Sequence, residues 1–318
     1  MAEGDPMPGW ASLWVADSIG AFRQVRVHRD GAHRTGVWEV ESRGQRYVFK
    51  THNRRYKWGS EVLAYRSWGH AFSPYLAEVV RVLDQPDHFG LLLRSVAGQP
   101  LREAGLPDWI AAVAYREAAQ CLRRLTDSCA APCPWFGSAV GDDGLPLSPE
   151  QGLFLGRDTD AAALFHRLLD DAERQARQLD VLTPAQWELV AVVRPLADAF
   201  AGERPVPTHN DFTPGNWLVD ADGRLTAIID LENMFHGVCI EPFLRLCADY
   251  FPTSPRCQEA FIEGFGIDLP QQLPHQIAVG LTLHGIAYLC SGVQRNDAGH
   301  RQRGLDALRL AEQVRRRL

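Results

Sequence analysis

Apolar residues change their spacing once along this chain, near Gly98, and that change constrains the fold more than any other feature. Before it they fall in short extended runs. Residues 22–28 alternate, 37–40 and 46–51 resume around a turn at Ser42, Arg43 and Gly44, and 79–83 and 89–93 flank a polar turn at residues 84–87. One helix is expected among these runs, over 58–68, where Val62, Tyr65 and Trp68 recur every third residue. After Gly98 the spacing is helical. Helices are expected from 109 to about 126, over 158–180, over 184–201 with Thr183 and Pro184 as cap and first turn, and through most of 241–318. Residues 129–152, rich in Pro and Gly, read as a long loop, and a strand pair turning at Ala221, Asp222 and Gly223 is expected over 216–230. This order predicts an α+β chain in two domains: residues 1–97 with an antiparallel sheet and one helix, and residues 98–318, mostly helical.

Composition narrows the function classes. A net charge of −6 argues against a nucleic-acid binder, which needs a basic face. The charge is +3 over residues 1–100, −6 over 101–204 and −3 over 205–318, which suits an anionic ligand near the first third. The seven cysteines form no CxxC pair and no zinc spacing, so free thiols in a reducing compartment are expected. The first ten residues lack the basic and apolar regions of a signal peptide, and no apolar run is expected to reach the roughly 20 residues that span a bilayer. A cytoplasmic protein without membrane partners is the expectation. Lys50 and Lys57 are the only lysines, so the place of each carries information.

The segment THNDFTPGNWLVDADGRLTAIIDLE, residues 208–232, holds His209, Asp211, Asn216 and Asp230 in the frame H-x-D-x4-N followed by an apolar strand ending in Asp. Phosphoryl transfer needs a carboxylate at the attacking hydroxyl and metal ligands close behind it. A loop carrying Asp211 and Asn216 can aim both into one cleft, and a hairpin over 217–230 returns Asp230 to the same place. Asp220 and Asp222 read as turn carboxylates.

This segment resembles the catalytic and metal-binding loops of the aminoglycoside phosphotransferase and choline kinase family, relatives of protein kinases. The shared pattern, H-x-D-x4-N and then I-D-x-E, is matched by His209, Asp211, Asn216, Asp230 and Glu232. The resemblance implies a two-lobed, protein-kinase-like fold and a small-molecule kinase using Mg2+ with ATP or GTP as phosphoryl donor. It implies Asp211 as catalytic base or hydroxyl-orienting group, Asn216 and Asp230 as magnesium ligands, and His209 as a structural brace; Glu232 is either a further ligand or structural. It also asks for a lysine on the third strand and a helical glutamate to hold it, which Lys50 and Glu61 supply. A hinge follows, with the carbonyl of Arg94 and the amide of Val96 aimed at a purine edge. The glycine-rich phosphate loop of protein kinases is missing, and Gly31, His33 and the Thr35 hydroxyl are the candidates to cover phosphates in its place. Glu241 stands near the place of the family's downstream aspartate, with Pro242 in the matching register.

The resemblance leaves the acceptor open: a small-molecule hydroxyl, on an aminoglycoside, peptide or nucleoside antibiotic, or on choline, an amino alcohol or a sugar. A catalytically silent nucleotide-binding module is the alternative of a different class. Acidic candidates for a cationic acceptor include Asp142, Asp143, Asp158, Asp160, Asp170, Asp171 and Glu263, but Arg157, Arg167, Arg174 and Arg177 are interleaved with them.

Overall fold

Arg43 and Gly44 both adopt positive φ, 53° and 76°, which matches the right-handed twist of the strands they join and closes a two-residue hairpin. The strands are β2 (Val37–Ser42) and β3 (Gln45–His52). The computed structural model describes residues 6–29, 35–128, 133–148, 151, 157–266 and 272–318. With β1 (Arg23–Arg29), β4 (Val79–Gln85) and β5 (His88–Arg94), these strands form an antiparallel sheet in the order β1-β2-β3-β5-β4.

The period of two along β3 divides its side chains between two environments. Phe49 joins Trp38, Val40, Leu83 and Leu92 in a cluster closed by Met7, Ala11 and Val15 of α1 (Gly9–Ile19) and its flank. That helix is additional to the sequence expectation. Burying rings such as Trp38 and Phe49 stabilises the unit by about 1.5–3 kcal/mol each. Lys50 takes the other side, toward α2 (Arg55–Leu63), whose Trp58 and Val62 pack with Leu91 and Leu93. The helix expected over 58–68 starts earlier and ends in a π-helical turn, Ala64–Trp68.

By compactness the chain forms two units. The first contains Met1–Gly105, Ser138–Leu147 and Pro214–Met234. The middle segment is admitted by a close backbone approach: a Cβ on Gly59 would stand 2.0 Å from the Gly144 carbonyl oxygen. The last segment brings in β8 (Trp217–Val219) and β9 (Leu225–Ile228), which pair, and β8 also pairs with β6 (Gln99–Pro100). Asp220 accepts backbone N–H bonds from Asp222 and Arg224 at 3.0 and 2.9 Å, closing the expected turn at Ala221, Asp222 and Gly223.

The second unit is Leu106–Gly137, Ser148–Thr213 and Phe235–Leu318; its described residues are mostly helical, with a two-stranded sheet of β7 (Val206–His209) and β10 (Met234–Gly237). Its helices are α3 (Asp108–Asp127), α4 (Ala161–Leu179), α5 (Pro184–Val193), α6 (Glu241–Asp249), α7 (Pro255–Phe265), α8 (Leu273–Gln294) and α9 (Ala298–Arg315). Thr183 forms the expected cap of α5, a reciprocal capping box with Gln186. Residues 194–200, expected to continue that helix, tighten into a 3-10 turn beginning Arg194-Pro195. The expectation that no apolar run is long enough for a bilayer does not hold for α8, whose most apolar window has mean hydropathy 1.3. Of that window 61% is buried within the protein, against neighbours that include α4, α6 and α9, so α8 is a core helix.

Candidate active site

In the first unit, Lys50 lies two residues before the end of β3 with its ammonium among three carboxylates. Nζ lies 2.8 Å from Glu61, 2.5 Å from Asp230 and 3.3 Å from Glu232. Glu61 is at most 1% exposed and Lys50 8%, so these charges act on each other with little screening by water. Burial alone would lower the Lys50 pKa, but Glu61, Asp230 and Glu232 outweigh it and raise it. Burial would raise Glu61; Lys50 and His52 outweigh it and hold the carboxyl low.

Asp230 lies two residues beyond β9 and adopts the left-handed conformation, φ 66° and ψ 51°. Such backbone costs a non-glycine residue about 1–2 kcal/mol, least for Asp and Asn. The next two residues hold it there. Leu231 is fully buried, and the Glu232 carboxylate accepts hydrogen bonds from Thr35 Oγ1 at 3.1 Å and Lys57 Nζ at 2.9 Å, with His52 Nδ1 3.4 Å away. Burial would raise the Glu232 pKa, but His52, Lys50 and Lys57 together depress it well below the carboxylate range. Asn216 is set beside this segment by its backbone, its carbonyl accepting the Ile229 N–H at 3.0 Å.

The donor set of Asn216 and Asp230, an amide oxygen and a carboxylate already facing a cation, fits a hard divalent ion such as Mg2+. Glu232 differs. His52, Glu61 and Glu232 offer ligand atoms within 4.8 Å of one another, but the cations among them are the protein's own ammonium and imidazole. Both lysines of the chain meet on Glu232, which makes it a structural anchor.

In the second unit, the loop after β7 is built on His209. Its buried ring accepts the Asp211 N–H at Nδ1, 3.1 Å away, and stands edge-on to Phe212. Acceptance at Nδ1 assigns the ring proton to Nε2. Asp211 is 28% exposed, and its Oδ1 meets Arg245 Nη1 at 2.6 Å. Arg245 projects from α6 toward Asp249 as well, whose carboxylate accepts the Tyr288 hydroxyl at 3.0 Å. Glu241, the first residue of α6, accepts the Val238 N–H at 2.8 Å. Burial pushes its carboxyl up to about 7.

No curated protein matches the sequence. The model of the APH phosphotransferase enzyme family matches residues 24–276, most of the chain. The chain belongs to this phosphotransferase family. Among solved structures, it resembles aminoglycoside phosphotransferase APH(4)-Ia in a ternary complex with AMP-PNP and hygromycin B. The TM-score is 0.66 at 15% identity, over 94% of this chain and 98% of that one. It also resembles the gentamicin complex of APH(2")-IIa, with a TM-score of 0.61 at 16% identity over 96% of each chain. The GDP complex of aminoglycoside 2'-phosphotransferase-IIIa gives 0.64 at 15% identity, again over 96% of each. These likenesses show a shared fold, the protein-kinase-like one, with an antiparallel sheet in the first unit and helices in the second.

As an APH-family phosphotransferase the chain also carries features the motif did not reveal. Thr35, a candidate to cover phosphates, has its hydroxyl bonded to Glu232 inside the buried cluster. Gly31 and His33 lie outside the described residues. Arg94 ends β5 with its guanidinium on Glu78, 2.7 Å away, and Val96 packs beside Trp58 and Leu93. Lys57, His52 and Arg245 join the site residues without having been singled out for it. Lys57 and Glu61 are four apart on one helix and Lys50 and His52 two apart on one strand, a local signal that was legible. Arg245 had none, being 34 residues from Asp211. Several acidic candidates for a cationic acceptor are already engaged. Asp170 pairs with Arg194, Asp171 with Arg174, Asp158 with Arg167 and Glu263 with Arg116, and Asp160 caps α4.

Proposed function

We propose that this phosphotransferase moves the γ-phosphoryl group of magnesium-bound ATP or GTP onto a hydroxyl of an antibiotic of the aminoglycoside, peptide or nucleoside type, and so inactivates it. The observation that carries the reading is the Lys50 ammonium held between Glu61 and Asp230, a cation set for nucleotide phosphates beside a carboxylate set for a metal. Complexes of the resembling enzymes with hygromycin B and gentamicin support the acceptor class, and those with AMP-PNP and GDP support the donor. Asn216 and Asp230 would hold Mg2+, which when bound neutralises charge on the phosphates. The Arg94 carbonyl and Val96 amide take the base edge, and Gly31, His33 and the residues around Thr35 cover the phosphates. Asp211 orients the acceptor hydroxyl and takes up its proton as the new O–P bond forms and the nucleoside diphosphate leaves. Arg245 fixes the direction of that carboxylate, and His209 fixes its loop.

A second reading, an acceptor of the choline, amino-alcohol or sugar type, gains from the arginines that neutralise Asp158, Asp170 and Asp171. The test is mass-spectrometric detection of phosphoryl addition after incubation with Mg2+, ATP or GTP, and a panel of both acceptor types. Asp211→Ala and Asp230→Ala should each lose ~10²–10⁴-fold of the rate or more, Asp211→Ala at little cost in stability and Asp230→Ala with some loss of it, since Asp230 holds left-handed backbone beside Lys50. Turnover near wild type in either variant sinks the mechanism. Nucleotide binding without any product would favour the catalytically silent module.

A further inference from the structure

His52 lies two residues past Lys50, on the same face of β3, and its side chain has no exposed surface. Both ring nitrogens face carboxylates: Nε2 stands 2.9 Å from Glu61 Oε2, and Nδ1 stands 3.4 Å from Glu232 Oε2. A neutral imidazole has one N–H and would present a lone pair to one of those anions. The imidazolium turns positive charge toward both, an ionic contact and not a pair of aligned hydrogen bonds. Charge balance agrees: Glu61, Asp230 and Glu232 face Lys50, Lys57 and His52, three against three only when the ring is protonated. Burial lowers the His52 pKa and Lys50 lowers it further, but Glu232 and Glu61 outweigh both and raise it above its ordinary value.

We propose that His52, as an imidazolium, is a positioning residue that bridges Glu61 and Glu232, so that Glu61 stays in place on Lys50 while that ammonium gives up part of its carboxylate contacts to the nucleotide phosphates. This rests on the phosphotransferase reading of Lys50. The Lys50 ammonium has three protons and three carboxylate partners, so a phosphate oxygen must displace at least one. Glu61 and Glu232 have oxygens within 4.8 Å of each other, both buried, and repel the more as phosphates draw on the cation they share. Lys57 reaches Glu232 but makes no ion pair with Glu61 among the described residues. Besides Lys50, His52 is the group among the described residues that stands against both. It leaves the carboxylate frame charged and oriented, so nucleotide binding does not have to rebuild it.

Nucleotide affinity, measured with a fluorescent ATP analogue and Mg2+, and steady-state kinetics test this. His52→Gln should weaken binding and raise the nucleotide KM by roughly tenfold or more, with a smaller change in kcat. Wild-type affinity should fall at alkaline pH as the ring loses its second proton, and the variant's profile should lack that limb. The double variant His52→Gln with Glu232→Gln removes one charge of each sign, and should recover much of the affinity lost in the single variant. A role in packing alone predicts no such recovery. An unchanged nucleotide KM in His52→Gln, or a double variant no better than the single one, overturns the inference while leaving the phosphotransferase reading intact. A wild type that binds no nucleotide removes that reading and this inference with it. Should His52→Gln fold poorly, nuclear magnetic resonance of the wild-type ring decides: an imidazolium at pH 7 supports the proposal, a neutral ring overturns it.

Discussion

Replacing Lys50 with Met should loosen the first unit locally and in a pH-dependent way. The substitution keeps most of the side-chain stem but removes the ammonium that meets Glu61, Asp230 and Glu232. Removing one partner of a buried pair costs about 3–5 kcal/mol. His52 and Lys57 remain as cations beside Glu61 and Glu232, so the lower end applies, ~3 kcal/mol, or about 10²-fold in the equilibrium for local opening. Hydrogen exchange read by mass spectrometry over β3 and α2 measures that opening directly. The sign with pH follows from the carboxyls. Glu61 and Glu232 are held below their ordinary value of 4.5 in the folded protein. Their stabilisation is therefore present above that value and lost as pH falls through the depressed folded-state one. Without Lys50 the depression shrinks and acid relieves the unpaired charge. The difference between variant and wild type should be largest at pH 7 and should narrow toward pH 4. Equal protection at pH 7, or a gap that does not narrow on acidification, would refute the account of Lys50 as the shared cation.

Other perturbations separate the remaining parts of the molecule. Arg245→Met should lower kcat by about 10- to 100-fold through loss of Asp211 orientation, with little change in nucleotide KM; a kcat equal to wild type would remove Arg245 from the mechanism. Glu241 titrates near 7 in the folded protein against an ordinary value of 4.5, so its contribution to stability falls as pH rises between those values and stays at its lowest above them. Glu241→Gln should accordingly melt above wild type at pH 8, by up to ~3 kcal/mol in stability, with the gap closing at pH 5; equal melting at both pH values would mean the carboxyl is not buried as described. Thr183→Ala should cost ~1 kcal/mol by removing the α5 capping box, and urea denaturation checks it.

Much of the fold and the chemistry was local in origin, and for that reason legible. The strand order up to Arg94 follows from period-two runs separated by turn residues, and Arg43 with Gly44 closes its hairpin where a glycine permits positive φ. The residues of H-x-D-x4-N lie within one short stretch because a single loop carries them. The pairing of Lys50 with Glu61 came from the resemblance, supported by a strand followed by a helix. Helix α1 gave little periodic signal: Leu13 is 75% exposed while Ala11 and Val15 are buried, so its apolar residues mark no single face.

Tertiary structure alone decided what surrounds those residues. Thr35 and Lys57 meet Glu232 across 197 and 175 positions of sequence, contacts that no local periodicity records. The same holds for Arg245 on Asp211, and for the return of Pro214–Met234 to the unit that contains Met1–Gly105. Hydrophobic spacing reports which face of an element is buried, but not which distant element covers it. A buried charge is settled only when its partners are in place, because the cost of desolvating it depends on them. The sequence therefore determined which groups are candidates for the chemistry, and the packing determined which charges surround them.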